Sequence, residues 1–423
     1  MTFDDLRFVP DVADPDMLLK VLDRATENSL RFWTRPEVTD SEFGGLHFWF
    51  DSDGNRIPFP PEQRGKSVIN LLRVMMLHGL WLAEHPEDTR VSAQLERGFR
   101  FLEEHHRDPA TGCYYNWLEL DGSLIREKGP RWFTSQLDSI STIYVMYIAA
   151  ELAGTLGDVR YLKVAEDAFM ALEKYAWDSE FGGYYNTMIP DERKDFAKSA
   201  GQNMHMALAL SRLIRVSDRP EYREKAARLV GLLERTMNEY DLAYNDMDRE
   251  WKTPVFSENP RFYGSAKVLA GHDAEVVWYL EDAAEAAGIP YPAWLERLGR
   301  KLTELIEDDG LFVLWCDEKG GYVRHDGVIW WSQFEVMIML ARLYKRTRDA
   351  KYWERFNRVM RFTFEKLMNP GNGVFYCNAQ LSTGKVSAQG GLAWKGGWHV
   401  VRALIESRKV AAFFAGGIEK ERK

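Results

Sequence analysis

Six short glycine–aromatic segments recur along the chain at an even beat. They are Gly44-Gly45-Leu46-His47-Phe48-Trp49, Gly112-Cys113-Tyr114-Tyr115-Asn116-Trp117, Gly182-Gly183-Tyr184-Tyr185-Asn186, the weaker Leu242-Ala243-Tyr244-Asn245, Gly310-Leu311-Phe312-Val313-Leu314-Trp315 and Gly373-Val374-Phe375-Tyr376. Their first residues are 44, 112, 182, 242, 310 and 373 of 423, a nearly constant spacing. A constant period means repeated supersecondary units that bury their apolar faces only by stacking on one another. The beat runs almost end to end without a linker, so residues 1–423 are expected to form one large domain.

Between successive segments lie two stretches with helical apolar spacing. The spacing predicts helix pairs over Ser67–Glu84 and Val91–His105, Thr134–Leu156 and Tyr161–Tyr175, Gly201–Val216 and Glu221–Met237, Gly271–Ala287 and Pro292–Glu307, and Trp331–Thr347 and Tyr352–Lys366. A lone helix over Pro15–Trp33 precedes the first segment, and another over Trp394–Arg408 follows the last. Twelve helices in six antiparallel pairs can form an open solenoid or a closed double ring. Closure is favoured because each unpaired end helix supplies the partner the other lacks. The expected fold class is all-α: an (α/α)6 barrel of six helical hairpins. Alternating aromatic runs beside turn formers such as Asp121-Gly122 and Asp317-Glu318-Lys319-Gly320-Gly321 predict short β-hairpins at one end.

Composition narrows the function classes. A formal net charge of −9 opposes a nucleic-acid partner, which needs a basic face. Three unclustered cysteines, Cys113, Cys316 and Cys377, fit neither a disulfide framework nor a zinc site. The first residues lack a basic stretch followed by an apolar core, and no uncharged apolar run approaches the roughly 18 residues of a membrane span. A cytoplasmic protein with no membrane partner is therefore expected. No HExxH, CxxC or carboxylate loop suggests a metal, and no GxGxxG or phosphate loop suggests a cofactor. The 15 Trp, 18 Tyr and 23 Phe fill a core, and such rings also stack on the flat apolar faces of sugars.

Nine histidines are present. His78, His85, His105 and His106 lie late in or just after helices, where a structural reading suffices. Three have richer surroundings. His272 lies in Gly271-His272-Asp273-Ala274-Glu275, where Glu275 at i+3 can reach the imidazole. A carboxylate on one ring nitrogen would fix its tautomer, although a purely structural pair would read the same way. His399 lies in Trp394-Lys395-Gly396-Gly397-Trp398-His399, which fits a wall that admits a ligand closely, or a packed final helix. His205 follows Gly201-Gln202-Asn203-Met204, as a cap, core or site residue. Arg73 sits among apolar residues and points either outward or into a polar funnel. In a closed ring all four come soon after a glycine–aromatic segment, on the helices that line the inside. They converge on one cavity, and histidines without a metal suit proton transfer.

At these residues the chain resembles the N-acylglucosamine 2-epimerase superfamily, in wording nearest its cellobiose 2-epimerase branch. The matching stretches are Gly271-His272-Asp273-Ala274-Glu275 with Trp278, Trp330-Trp331-Ser332-Gln333-Phe334-Glu335, and Trp394-Lys395-Gly396-Gly397-Trp398-His399 with Arg402-Ala403. The resemblance covers nearly the whole chain and implies an (α/α)6 barrel. It implies that His272 and His399 are the acid/base pair, Glu275 the partner of His272, His205 a third pocket histidine and Arg73 the arginine of the first inner helix. Trp331 and Trp394 would border the sugar, with Glu335, Gln136 and Asn203 as polar contacts. Three positions depart from the pattern: Gly201 where an Asn is usual, Leu208 where a carboxylate is frequent, and Thr134 in place of a tyrosine.

The reaction implied is proton transfer at C2 of an open-chain aldose through a cis-enediolate, giving the C2 epimer or a ketose. A small-molecule sugar is thus the expected partner; oligomeric state has no sequence signal. A glycoside hydrolase or lyase on the same barrel would need two carboxylates across the scissile bond. A silent sugar-binding protein would have no need of three pocket histidines with Arg73 and Glu275.

Overall fold

The computed structural model describes residues 15–421, apart from 52, 59–64, 127–133, 194–196, 253–267, 323–325, 370 and 387–396. The described residues hold twelve α-helices. Six form an inner ring: α2 (Val68–Glu84), α4 (Ser139–Leu156), α6 (Ala200–Val216), α8 (Ala270–Ala287), α10 (Trp330–Thr347) and α12 (Trp398–Glu421). Six lie outside: α1 (Pro15–Trp33), α3 (Thr89–Phe101), α5 (Val159–Tyr175), α7 (Pro220–Leu233), α9 (Ala293–Glu304) and α11 (Ala350–Leu367). Each inner helix packs on the next, and α12 packs on α2 and α1, so the double ring closes. Gly397, with φ 73°, makes this closure tight: a Cβ there would lie 2.2 Å from Nε1 of Trp33 on α1. Its small size therefore serves ring closure.

Inner and outer helices differ because of what surrounds them. The outer α3 buries Val91, Gln94, Leu95, Gly98 and Phe101, one stripe of an amphipathic helix. Inner helices are enclosed on every side. In α4 only a few residues escape burial. With a mean hydropathy of 1.3 over 18 residues, α4 is long and apolar enough to cross a membrane, although the charge of Glu151 interrupts its apolar run. Its Glu151, which pairs with Arg212 at 2.7 Å, and the burial of 67% of its residues mark it as a barrel stave.

The glycine–aromatic beat returns as six equivalent antiparallel bridges: Thr39↔Leu46, Arg107↔Tyr114, Trp177↔Tyr184, Met237↔Ala243, Ile306↔Phe312 and Met368↔Phe375. Each closes the turn leaving an outer helix. The expected hairpins are thus present and small, each glycine–aromatic segment contributing one antiparallel bridge. In four repeats the segment's N–H is taken by a side chain at the fourth position of the next inner helix. Tyr114 N donates to Thr142 (3.1 Å), Tyr184 N to Asn203 (2.7 Å), Ala243 N to Asp273 (3.0 Å) and Phe312 N to Gln333 (3.2 Å). The strands proper are only two or three residues long and join neighbouring repeats. β1 (Lys66–Ser67) pairs with β2 (Trp117–Leu118), β3 (Lys198–Ser199) with β4 (Asp246–Met247), and β5 (Gly327–Ile329) with β6 (Asn378–Gln380). All lie beside the N-termini of inner helices, and that end carries the site.

Candidate active site

Equivalent inner helices place equivalent residues at one depth. The sixth residues of α2, α4, α6, α8 and α10 are Arg73, Tyr144, His205, Glu275 and Glu335, and the fifth of α12 is Arg402. All six are polar and buried. One turn nearer the helix N-termini stand His272 of α8, Trp331 of α10 and His399 of α12.

The ring is held by hydrogen bonds. Arg73 Nη2 donates to Tyr144 OH (2.9 Å) and to His399 Nε2 (3.0 Å). Tyr144 OH lies 3.1 Å from His205 Nε2, while His205 Nδ1 lies 2.6 Å from the Gly201 carbonyl. A guanidinium can only donate, so His399 Nε2 accepts and its proton sits on Nδ1. That N–H donates to Glu335 Oε1 at 2.6 Å. Arg402 Nη2 also donates to Glu335 Oε1 (2.6 Å) and to Glu275 Oε1 (3.2 Å). Tyr279 OH donates to Glu275 (2.7 Å), and Trp278 Nε1 to Glu335 (3.1 Å). His272 and His399 flank one ring: Trp331 lies 5.4 Å from the first and 6.1 Å from the second, between centroids.

Burial dominates the electrostatics. It pushes His272 down to about 4 and, joined by the Arg73 charge, His399 down to about 3. His205 is also pushed well down by burial. Burial opposes the Glu335 charge, but Arg402 and the His399 N–H together hold its carboxyl below the ordinary range. Burial and the nearby Glu335 raise Glu275 instead. Glu275, Glu335 and His399 are the kind of trio that could hold a cation. Arg402, bonded to both carboxylates, already supplies the positive charge between them.

The structure brings Arg73, His205, His272, Glu275, Trp331, Glu335 and His399 together. Three sequence readings, of Glu275, Glu335 and Asn203, need correction. Glu275 bonds Tyr279 and Arg402 rather than His272, because a buried carboxylate needs a cation or donors and neutral His272 offers neither charge nor reach. The His272 Nδ1 lies 3.1 Å from Asn245 Oδ1. Glu335, expected to contact sugar, is fully buried behind His399 as that ring's carboxylate partner. Asn203 is buried with its amide spent on backbone, donating to Tyr184 O (3.1 Å) and Ser199 O (3.0 Å). Gln136 lies just before α4, its amide donating to Thr134 at 3.3 Å. Trp394 lies outside the described residues. Tyr144, Tyr279, Asn245 and Arg402 were missed as site residues. Tyr144 and Arg402 had a signal, since they share the periodic inner-helix position of Arg73 and His205.

The sequence profile of the N-acylglucosamine 2-epimerase (GlcNAc 2-epimerase) family matches residues 73–402. The chain belongs to this family. The match spans the inner helices from Arg73 to Arg402, the first and last members of the polar ring. A cellobiose 2-epimerase from Bacteroides fragilis is 23% identical over 403 residues, covering 90% of this chain and 96% of the relative. A D-mannose isomerase from Marinomonas mediterranea is 22% identical over 418 residues, covering 92% and 96%. The solved cellobiose 2-epimerase of Spirochaeta thermophila superposes with a TM-score of 0.79 at 19% identity, covering 96% of this chain and 100% of the other. The family's barrel is therefore the fold seen here, and its members include carbohydrate epimerases and isomerases.

Proposed function

We propose that this protein is a sugar 2-epimerase acting on the free reducing end of an aldose, either a mannose- or glucose-type sugar or a β-1,4-linked disaccharide such as cellobiose. The observation that carries the reading is the pair of imidazoles, half-buried His272 and buried His399, on either side of Trp331 above a floor of arginine and tyrosine donors. Epimerisation needs two acid/base groups, because the proton leaves one face of C2 and returns to the other.

The sugar ring first opens. One histidine takes the C2 proton, and the electron pair moves through C1 onto O1 to give a cis-enediolate. Arg73 and Tyr144 are placed to stabilise that oxyanion, the contribution that usually weighs most. The other histidine delivers a proton to the opposite face of C2, so the pair enters with one proton and leaves with it on the other ring. His399 is the ring built to carry the charge. A sugar oxygen that takes up the Arg73 hydrogen bond frees His399 Nε2, and Glu335 on Nδ1 then favours the protonated form. Return of the proton to C1 would give a ketose, the outcome suggested by the similarity to a mannose isomerase.

A hydrolase would need its carboxylates to flank the glycosidic bond. Arg402 fills the space between Glu275 and Glu335, which opposes that reading. Because Arg402 already supplies the positive charge there, exchange is expected to proceed unchanged in EDTA; a loss restored by a divalent ion would contradict the scheme. The direct test is NMR of aldoses and β-1,4 disaccharides in D2O. Deuterium at C2 of an epimer, with the glycosidic bond intact, is expected. Released monosaccharides would favour a hydrolase, and binding without exchange a silent receptor.

A further inference from the structure

Of the three cavity histidines, His399 has a carboxylate on Nδ1 and His205 a backbone carbonyl, whereas His272 has a side-chain amide. Its partner is Asn245, at the end of the fourth glycine–aromatic segment, 3.1 Å away. The Asn245 amide cannot be turned around. Its Oδ1 also accepts the Gly201 N–H at 3.3 Å, and a backbone N–H only donates. Its Nδ2 meanwhile donates to Asp246 Oδ1 at 3.2 Å. With Oδ1 facing the ring, His272 Nδ1 must carry the proton. Gly201 makes the contact possible: a Cβ there would stand 2.8 Å from His272 Nδ1 and 2.9 Å from Asn245 Oδ1.

We infer that Asn245 is the positioning residue of His272: it fixes the Nδ1–H tautomer and so presents Nε2 as the proton acceptor, in the space left by Gly201. The inference rests on the proposed function only for what that nitrogen then does. It makes the two histidines unequal. His399 leans on a carboxylate and is suited to hold a proton, whereas His272 leans on a neutral amide and rests as a base. The titratable groups around His272 are Glu335 of α10, His205 of α6, Asp246 behind Asn245, and Asp273 and Glu275 on its own helix. None of these is its hydrogen-bond partner.

The test uses the full chain with 15N-labelled histidine, comparing the native protein with Asn245→Ala, Asn245→Asp and Gly201→Ala. The native His272 ring should show the Nδ1–H signature, and Asn245→Ala should lose it. C2 exchange should then fall by on the order of a hundredfold in kcat with KM little moved. Asn245→Asp should keep the tautomer and move the acid limb of kcat/KM up by about one to three pH units, because a carboxylate favours the protonated ring. Gly201→Ala keeps the Asn245 side chain but sets a Cβ against both His272 Nδ1 and Asn245 Oδ1, and should disturb the ring signature. An Nε2–H tautomer in the native protein would overturn the inference. So would native tautomer and pH profile in both Asn245 variants. If the ring signature follows Asn245 but His272→Ala still exchanges C2, the positioning stands and the acid/base role of His272 falls.

Discussion

Glu335 shows why residue identity is easier to read than residue partnership. A sequence places Glu275 one helical turn from His272, and neighbours on a helix face can pair. In the folded barrel a buried carboxylate goes to the strongest donors in reach, and Arg402 of another helix supplies them to Glu275 and Glu335 alike. His399 then takes Glu335, from a helix that sequence spacing cannot link to it. Histidines 205, 272 and 399 with Arg73 were legible because their residue types are rare on apolar helices. Tyr144 was passed over because a tyrosine there reads as core by type, and only its register with Arg73 and His205 marks it. The Glu335→Gln variant removes the charge and keeps the shape. C2 exchange is expected to fall by about 100- to 10,000-fold, as when a histidine loses its carboxylate partner. Near-native turnover measured by deuterium uptake would refute the pairing.

The elements show what the glycine–aromatic beat encodes. Its period and the helix pairs were legible, since 3.6-residue spacing survives in each stave. Helix ends were less so. The fourth helix starts at Ser139 rather than Thr134 because Asp138 caps it, accepting from Ser141 N at 2.9 Å. The last runs to Glu421, well past the expected Arg408. The side chains that clamp each segment to its inner helix escaped notice because they differ chemically: Thr142, Asn203, Asp273 and Gln333 share a position and no residue type. Asn203→Ala should therefore cost roughly 2–4 kcal/mol in urea unfolding, the penalty for leaving Tyr184 backbone groups unpaired in the interior. A raised KM with unchanged stability would instead restore it as a sugar contact.

At the scale of the molecule, closure follows from the two end helices, as their lack of sequence partners implied. The far ends of the inner helices are tied by a buried charge network that sequence did not reveal. Arg212 and Arg342 both bind Asp282, at 2.6 Å each, and Arg342 binds Glu406 at 2.7 Å. Burial also holds His78 at about 4 and His106 at about 3, against an ordinary 6.5. A depressed histidine binds its proton more readily in the unfolded chain, so its contribution is complete above 6.5 and is lost as pH falls towards 4. Glu406, held near 2 mainly by Arg342 against the cost of burial, acts in the same direction at lower pH. Melting temperature should fall steadily as pH drops below about 6.5; a flat profile down to pH 4 would contradict the neutral buried histidines.

The chemistry itself is tested most directly by deuterium uptake at C2 of mannose, glucose and cellobiose in D2O, for the native chain beside His272→Ala and His399→Ala. The native protein should place deuterium at C2 and accumulate the C2 epimer, while both variants keep the native circular dichroism and lose exchange. Sustained C2 exchange in either folded variant would show that the two imidazoles beside Trp331 are not the acid and base.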